Sequence, residues 1–501
     1  MKKIQLISVF LIPATLFFSF AEDKDRMSEK PACLQAGDIQ GDIPLKKDKG
    51  VPYDKALADK YHLDIPEPAD SLDPAPEWLQ MADMFTADWS VKADMLNTPY
   101  SLWKGYSIEL EDTLIERILR LQPLYGKRKI HEQIPKTIDG NFDGSEVKGV
   151  ALISHVPHSE AAFKQAHAQG FRVIPYVHFR CIHTYYADQD VFLFRHPEIL
   201  LKDAEGKWSH LPMDGTDRLY RYLVCANNPS YWNLSLSYVK KLMDWGADGL
   251  FIDNVEEREE CFAPGFTNLN PEFGPYVHEH LFPGAAHDYA FDRFLQAVRA
   301  LVKSYGEDKI IVLNPGMGSQ FQKDGDCCTW ESFIYSWAWE GRDPNQSWIN
   351  IKKRVQENEW FIKAGRRITA LSYLDPSRKE VKDDAFWAFC AARLLDMVWW
   401  CTLKNTGAEY LYQVRMGKCL QPLQETGQIA YSVYENGIII LNDTVKDKAI
   451  TISLPSEFNC TQLLDLYQRG KNIKVSRGCV EITVPAQSAR IYLRQETARV
   501  N

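Results

Sequence analysis

The sequence predicts an α/β chain: a TIM-type (β/α)₈ barrel followed by a small C-terminal all-β sandwich. Three observations carry that expectation. Short apolar runs alternate with amphipathic helical stretches from about residue 76 to 415, the pattern of parallel βα units. No strand-like run is followed by a glycine-rich dinucleotide turn, which removes the usual mark of an open doubly wound sheet. Beyond about residue 420 the helical period disappears and short β-rich runs take over.

The elements follow in order. "KGVALISH" (148–155) is a strand, and Ser159 then caps a helix that Gly170 ends. "FRVIPYVHF" (171–179) is the next strand, and a long polar insertion runs from Arg180 to about Tyr222. Asn228 caps a helix with Pro229 at its first position, and Leu236, Val239 and Met243 form one stripe. "DGLFID" (248–253) is a strand. The helix after it places Phe291, Leu295, Val298 and Val302 on one face. "KIIVLN" (309–314) and "CCTWESF" (327–333) are strands, a helix of about 20 residues leads into "RITALSYLD" (367–375), and "DDAFWAFCAARLLDMVWW" closes the series. In the tail, Asn436–Gly437 between two β-rich runs reads as a hairpin turn.

The ends of the chain have their own character. Lys2 and Lys3, an apolar run from Ile4 to Phe20 and Ser19-Phe20-Ala21 read as a signal peptide cleaved after Ala21, so the expected location is secreted or periplasmic. Residues 22–75 read as an extended lead-in, 76–415 as the barrel and 420–501 as the sandwich. No later stretch is long and apolar enough to span a bilayer, so no stable membrane insertion is expected after signal cleavage. A formal charge of −9 without a basic patch argues against nucleic acid as a partner. The 11 cysteines lack the spacing of a disulfide scaffold, although Cys460 and Cys479 are a plausible bridge.

The candidate chemistry sits at strand ends. In "GADGLFIDN" (246–254) the positions from Gly249 to Ile252 are apolar or small, and the run ends on Asp253. Side chains alternate, so Asp253 at the barrel mouth puts Phe251 and Gly249 inside the barrel and Leu250 and Ile252 against the helices. A buried carboxylate is costly unless paired or used. Glu331 likewise ends an apolar run, and counting places the two on strands four and six, facing a common mouth. Two carboxylates about 5–5.5 Å apart are what a retaining glycosidase needs. His155, His178, Arg180, Asn254, Asn314 and Asp375 also fall at strand ends and are candidate substrate-binding groups for a hydroxyl-rich ligand. Neither HExxH nor GxSxG occurs, and no metal or other cofactor is expected.

The strand-four motif and the later "WESF" resemble barrel glycoside hydrolases, especially glycoside hydrolase family 114, the endo-α-1,4-polygalactosaminidases. The order of the carboxylates is also similar to that of α-galactosidase-type barrels. "HPEILLKDAEGKW" (196–208) resembles an insertion of barrel hydrolases, and the tail ending "PAQSARIYLR" resembles the sandwich that follows many α-glycosidase barrels. The resemblance implies a retaining mechanism with Asp253 as nucleophile and Glu331 as acid/base. The expectation is a secreted glycoside hydrolase that cleaves O-glycosidic bonds in a polysaccharide or glycoconjugate. The alternative is a non-catalytic carbohydrate-binding protein on the same scaffold.

Overall fold

The computed structural model describes residues 50–68, 73–87, 151–154, 156, 158–183, 196–213, 216–256, 258–263, 267–268, 276–334, 347–401, 406–426, 428–468 and 471–495. The expected signal peptide, most of the lead-in and His155 lie outside them. Eight parallel strands line the first part of the chain. They are β1 (Met84–Ala87), β2 (Ala151–Ser154), β3 (Phe171–Val173 continuing as Tyr176–His178), β4 (Gly249–Asp253), β5 (Ile310–Leu313), β6 (Cys327–Trp330), β7 (Arg367–Leu371) and β8 (Val398–Trp400).

Pairing runs from β1 to β2, β2 to the first half of β3, the second half of β3 to β4, and on through β8, which pairs back to β1 through Met84↔Trp399 and Phe85↔Trp400. The break within β3 falls at Ile174–Pro175, because proline has no N–H to give the ladder. The strand still holds both neighbours: Ile174 N–H donates to the Ile153 carbonyl (3.0 Å), and the Pro175 carbonyl accepts from Phe251 N–H (3.0 Å). The ring is therefore closed, and the (β/α)₈ expectation holds. The strand at Met84–Ala87 carries too short an apolar pattern to be singled out from sequence.

Helices α1 (Glu160–Ala168), α2 (Pro229–Asp244), α3 (His287–Lys303), α4 (Trp348–Gln356), α5 (Glu359–Lys363) and α6 (Val381–Leu394) lie between the strands. Ser159 and Asn228 cap α1 and α2, each accepting from a backbone N–H three residues on. The single helix expected before β7 is two, broken at Asn358.

The alternation deduced for β4 is observed. Phe251 belongs to the cluster inside the barrel, with Phe85, Leu152, Val312 and Trp400, whereas Leu250 and Ile252 pack with the helices. Phe85 stacks on Trp400 at 4.3 Å between ring centroids, and Phe251 meets Trp400 edge-on at 4.8 Å. Aromatic rings thus fill the interior below the mouth. Gly249 starts β4 because a Cβ there would stand 2.0 Å from the Ile310 carbonyl oxygen.

The tail forms β9 (Cys419–Thr426), β10 (Ile429–Tyr434), β11 (Gly437–Asn442), β12 (Lys448–Ser453), β13 (Gln462–Asp465), β14 (Asn472–Lys474), β15 (Cys479–Val484) and β16 (Ser488–Arg494). A six-stranded sheet, β9-β10-β11-β16-β13-β14, covers the pair β12–β15. The hairpin turn lies one residue earlier than expected, at Glu435–Asn436, since Gly437 already pairs with Tyr434. Gly437 is needed for another reason: a Cβ there would stand 2.4 Å from the Tyr492 carbonyl on β16. Cys460 and Cys479 are not bridged; Cys479 Sγ lies 3.8 Å from Ser453 Oγ on the paired strand.

Both faces of β11 are buried. Ile438 and Ile440 face the second sheet, while Ile439 and Leu441 join the barrel's outer core with Tyr434, Ile491 and Leu493. The helix sandwiched there, α6, is buried almost all round. An ion pair between Arg393 on α6 and Asp83 before β1 (2.9 Å) reinforces the seam, and Asp83 also accepts from Met416 N–H. Each apolar side chain uncovered there costs roughly 1.5–3 kcal/mol. Truncation after Met416 is therefore expected to give insoluble or aggregated protein in a solubility and light-scattering assay; a soluble monomeric barrel with an unchanged melting temperature would contradict this interface.

Candidate active site

At the carboxyl ends of the strands, residues of β3 to β7 converge on two carboxylates. Register sets His178 beside Asp253, and Asn314, the residue after β5, donates its N–H to the Ile252 carbonyl on β4. Glu331 follows β6, and Tyr373 lies two residues beyond β7. Asn314, just after β5, stands between the strands that carry the acids. Its Nδ2 donates to Asp253 Oδ1 at 2.6 Å and to Glu331 Oε2 at 3.2 Å. Those two oxygens are therefore at most 5.8 Å apart, 2.6 Å plus 3.2 Å. The non-catalytic alternative would fit carboxylates more than about 10 Å apart or turned to different sides, which is not what is observed.

Each acid has further donors. Tyr176 Oη donates to Asp253 Oδ2 at 2.5 Å, and Asn254 Nδ2 reaches the same oxygen at 3.0 Å. Tyr373 Oη donates to Glu331 Oε1 at 2.7 Å. Burial pushes the Asp253 carboxyl above its ordinary range, against the pull of Tyr176 and Asn314. Burial first, and then the charge of Asp253, push Glu331 up as well, opposed by Tyr373 and Asn314. The residues just after the two acids, Asn254 (φ 55°) and Ser332 (φ 59°), are both left-handed. Such strain at a non-glycine residue clusters at functional sites.

The other aspartate of the "GADGLFIDN" stretch serves the opposite end. Asp248, before β4, accepts from Val173 N–H and His167 and pairs with Arg172 and Lys309. Burial alone would raise its carboxyl, but the hydrogen bond from His167 and these other partners hold it at about 2. It locks the barrel floor, while Asp253 stands at the mouth.

The sequence-derived candidates divide. Asp253, Glu331, Asn314 and Asn254 form one hydrogen-bonded cluster. His178 is beside Asp253 in register, but it is buried and its Nε2 lies 3.5 Å from Cys181 Sγ. Arg180 is turned to Glu256 and to Glu259 (2.7 Å), not to the acids. Asp375 closes a local turn, accepting from Ser377 N–H (2.9 Å) and Oγ (2.7 Å). His155 lies outside the described residues. Tyr176 and Tyr373 escaped sequence reasoning; for Tyr176 period two was signal enough, since it lies two residues before His178 on the same face of β3, whereas Tyr373 lies beyond the end of β7. A second cluster, Cys225, Cys261, His278 and His280, also went unforeseen.

Comparison with known proteins adds the following. No family model matches the chain. A Flavonifractor plautii protein described as "A type blood alpha-D-galactosamine galactosaminidase" is 32% identical over 81 residues, a match that spans 16% of this chain and 8% of that protein. Among solved structures, the Nostoc punctiforme debranching enzyme soaked with acarbose is 12% identical, with a TM-score of 0.44 over 84% of this chain and 100% of that one. An Anoxybacillus alpha-amylase is 11% identical, with a TM-score of 0.43 over 84% and 98%.

The raised carboxyls make a stability prediction. A folded-state pKa above the unfolded value means that the native state holds its proton more tightly, so this contribution falls as pH rises through the carboxylate range. Glu331→Gln removes the Glu331 share of that loss. The melting-temperature difference, variant minus wild type, should therefore become more positive from about pH 4 to pH 7 in differential scanning fluorimetry. A difference that stays flat or turns negative would contradict the burial described for Glu331.

Proposed function

We propose that the protein is a glycoside hydrolase that cleaves O-glycosidic bonds in a polysaccharide or glycoconjugate with retention of anomeric configuration. The observation that carries this reading is the pair Asp253 and Glu331, joined through one amide with the nearer oxygens at most 5.8 Å apart. That spacing fits the retaining arrangement, about 5–5.5 Å, and leaves little room for the attacking water of an inverting enzyme.

In the proposed mechanism Asp253 attacks the anomeric carbon. Tyr176, Asn314 and Asn254 hold its side chain in one orientation and favour the anion. Glu331 protonates the departing oxygen and then takes a proton from the water that releases the sugar. Its raised carboxyl, in the field of ionised Asp253, suits the acid role. Glu331 has by then given its proton to the leaving group; with Asp253 glycosylated and its charge gone, the Glu331 carboxylate is no longer pushed to recapture one and is free to take a proton from water in the second step.

Two observations favour galactosaminides as the first substrates to try: the resemblance of the strand-four and strand-six motifs to family 114, and the short match to a protein named for galactosaminidase activity. Export is part of the proposal, with Lys2, Lys3 and the apolar run to Phe20 as its support. Among the described residues no helix is long and apolar enough to cross a membrane.

The test is a hydrolysis screen over α- and β-linked glycans, α-galactosaminides first, with two variants alongside. Asp253→Asn should fold and lose several orders of magnitude in rate; retention of more than about a tenth, under ~1.4 kcal/mol of barrier, would remove it as nucleophile. Glu331→Gln should be severely slow on natural glycans but less impaired in the first step on activated aryl glycosides, whose leaving group needs no proton. Equal losses on both would take the acid role from Glu331.

A further inference from the structure

We propose that the chain carries a structural zinc site made by Cys225, Cys261, His278 and His280, apart from the carboxylate pair. The four ligand atoms all lie within 4.8 Å of one another. Cys225 Sγ is 3.5 Å from His280 Nε2, and Cys261 Sγ is 3.4 Å from His278 Nε2. A tetrahedral zinc with Zn–S near 2.3 Å and Zn–N near 2.0–2.1 Å has sulfur–nitrogen edges of about 3.6 Å, close to the two sulfur–nitrogen distances found here.

Ligand type selects the metal. Two thiolates and two imidazoles are a borderline-soft set that suits zinc, whereas calcium and magnesium take oxygen ligands. Four protein ligands complete the tetrahedron, which is the closed arrangement of a structural site and leaves no position for a reacting water. Cys225 and His278 are fully buried, and Cys261 and His280 are partly so.

The ligands come from three segments of the chain. Cys225 ends the insertion after β3, where its N–H donates to the Ile199 carbonyl, just before Asn228 caps α2. Cys261 is in the loop after β4, beside Phe262, whose N–H donates to the Lys202 carbonyl. His278 and His280 precede Leu281, whose N–H donates to the Asn227 carbonyl. A metal at their meeting point would pin together two long connections at the mouth end of the barrel. Binding energy at such a site is folding energy for the segments it joins. One of those connections carries Glu256 and Glu259, the partners of Arg180.

The test uses the full chain, expressed without a histidine tag and equilibrated with a slight excess of zinc before gel filtration. Metal analysis should find close to one zinc per chain. The double variant Cys261→Ser/His278→Ala should lose it, and a strong chelator should lower the melting temperature of the wild type but not of the variant. Should the variant fail to fold, cobalt replacement in the wild type supplies the second readout: an intense visible spectrum with sulfur-to-cobalt charge transfer, the signature of a tetrahedral thiolate site. Zinc-equilibrated protein without stoichiometric metal would overturn the proposal. So would peptide mapping that finds Cys225 and Cys261 joined as a disulfide, or cobalt-loaded protein without thiolate bands.

Discussion

One side-chain amide, that of Asn314, is shared between two carboxylates, and the proposed chemistry depends on it. Two ionised carboxylates no more than 5.8 Å apart repel by about 3 kcal/mol at an effective dielectric constant of ~20. Asn314 offers one N–H to each and so offsets part of that repulsion. It can do so because β5 runs between β4 and β6, with its last residues in register beside Ile252 and Cys328. The position of Asn314 follows from the closed ring, and the spacing of the acids follows from Asn314.

The barrel supplies the rigidity this arrangement needs. Its interior below the mouth is filled by Phe85, Phe251 and Trp400, packed ring against ring. Tyr176 links this interior to the mouth: its ring lies 5.6 Å from that of Phe251, and its hydroxyl reaches Asp253. Buried Thr329 and Thr369 join β6 to β7 by a 2.8 Å hydrogen bond beneath Glu331. The sandwich closes the outer side through α6, whose apolar surface is spent on two partners at once.

Much of this was legible in the sequence, for a physical reason. Strand alternation is strictly periodic, so "GLFID" alone assigned Phe251 inward, Leu250 and Ile252 outward and Asp253 to the rim. The helix caps at Ser159 and Asn228 were equally local. What depends on several segments meeting was not legible. Asn314 could be placed at a strand end, but its double role needed the order and register of three strands. The Arg180 ion pairs needed the path of the loop after β4. Cys225 and Cys261 are 36 positions apart, far from the spacing of a compact metal motif; His278-Glu279-His280 was the one local hint. Tyr176 was within reach of period two, but an aromatic residue in an apolar run reads first as core, and Tyr373 lies past the end of β7 where strand alternation no longer holds. The turn of the tail hairpin was misplaced by one residue because Gly437 serves the approach of β16 and not the turn.

In the proposed mechanism Asp253 becomes covalently bound to sugar during turnover. Trapping with a panel of fluorinated glycosyl fluorides, read by intact mass and then by peptide mapping, tests it most directly. Wild type should gain one glycosyl group per chain, carried on Asp253, and Asp253→Asn none. An adduct on Glu331 or Glu256, or product of inverted configuration from a protein that hydrolyses the same sugar without ever being labelled, would contradict it.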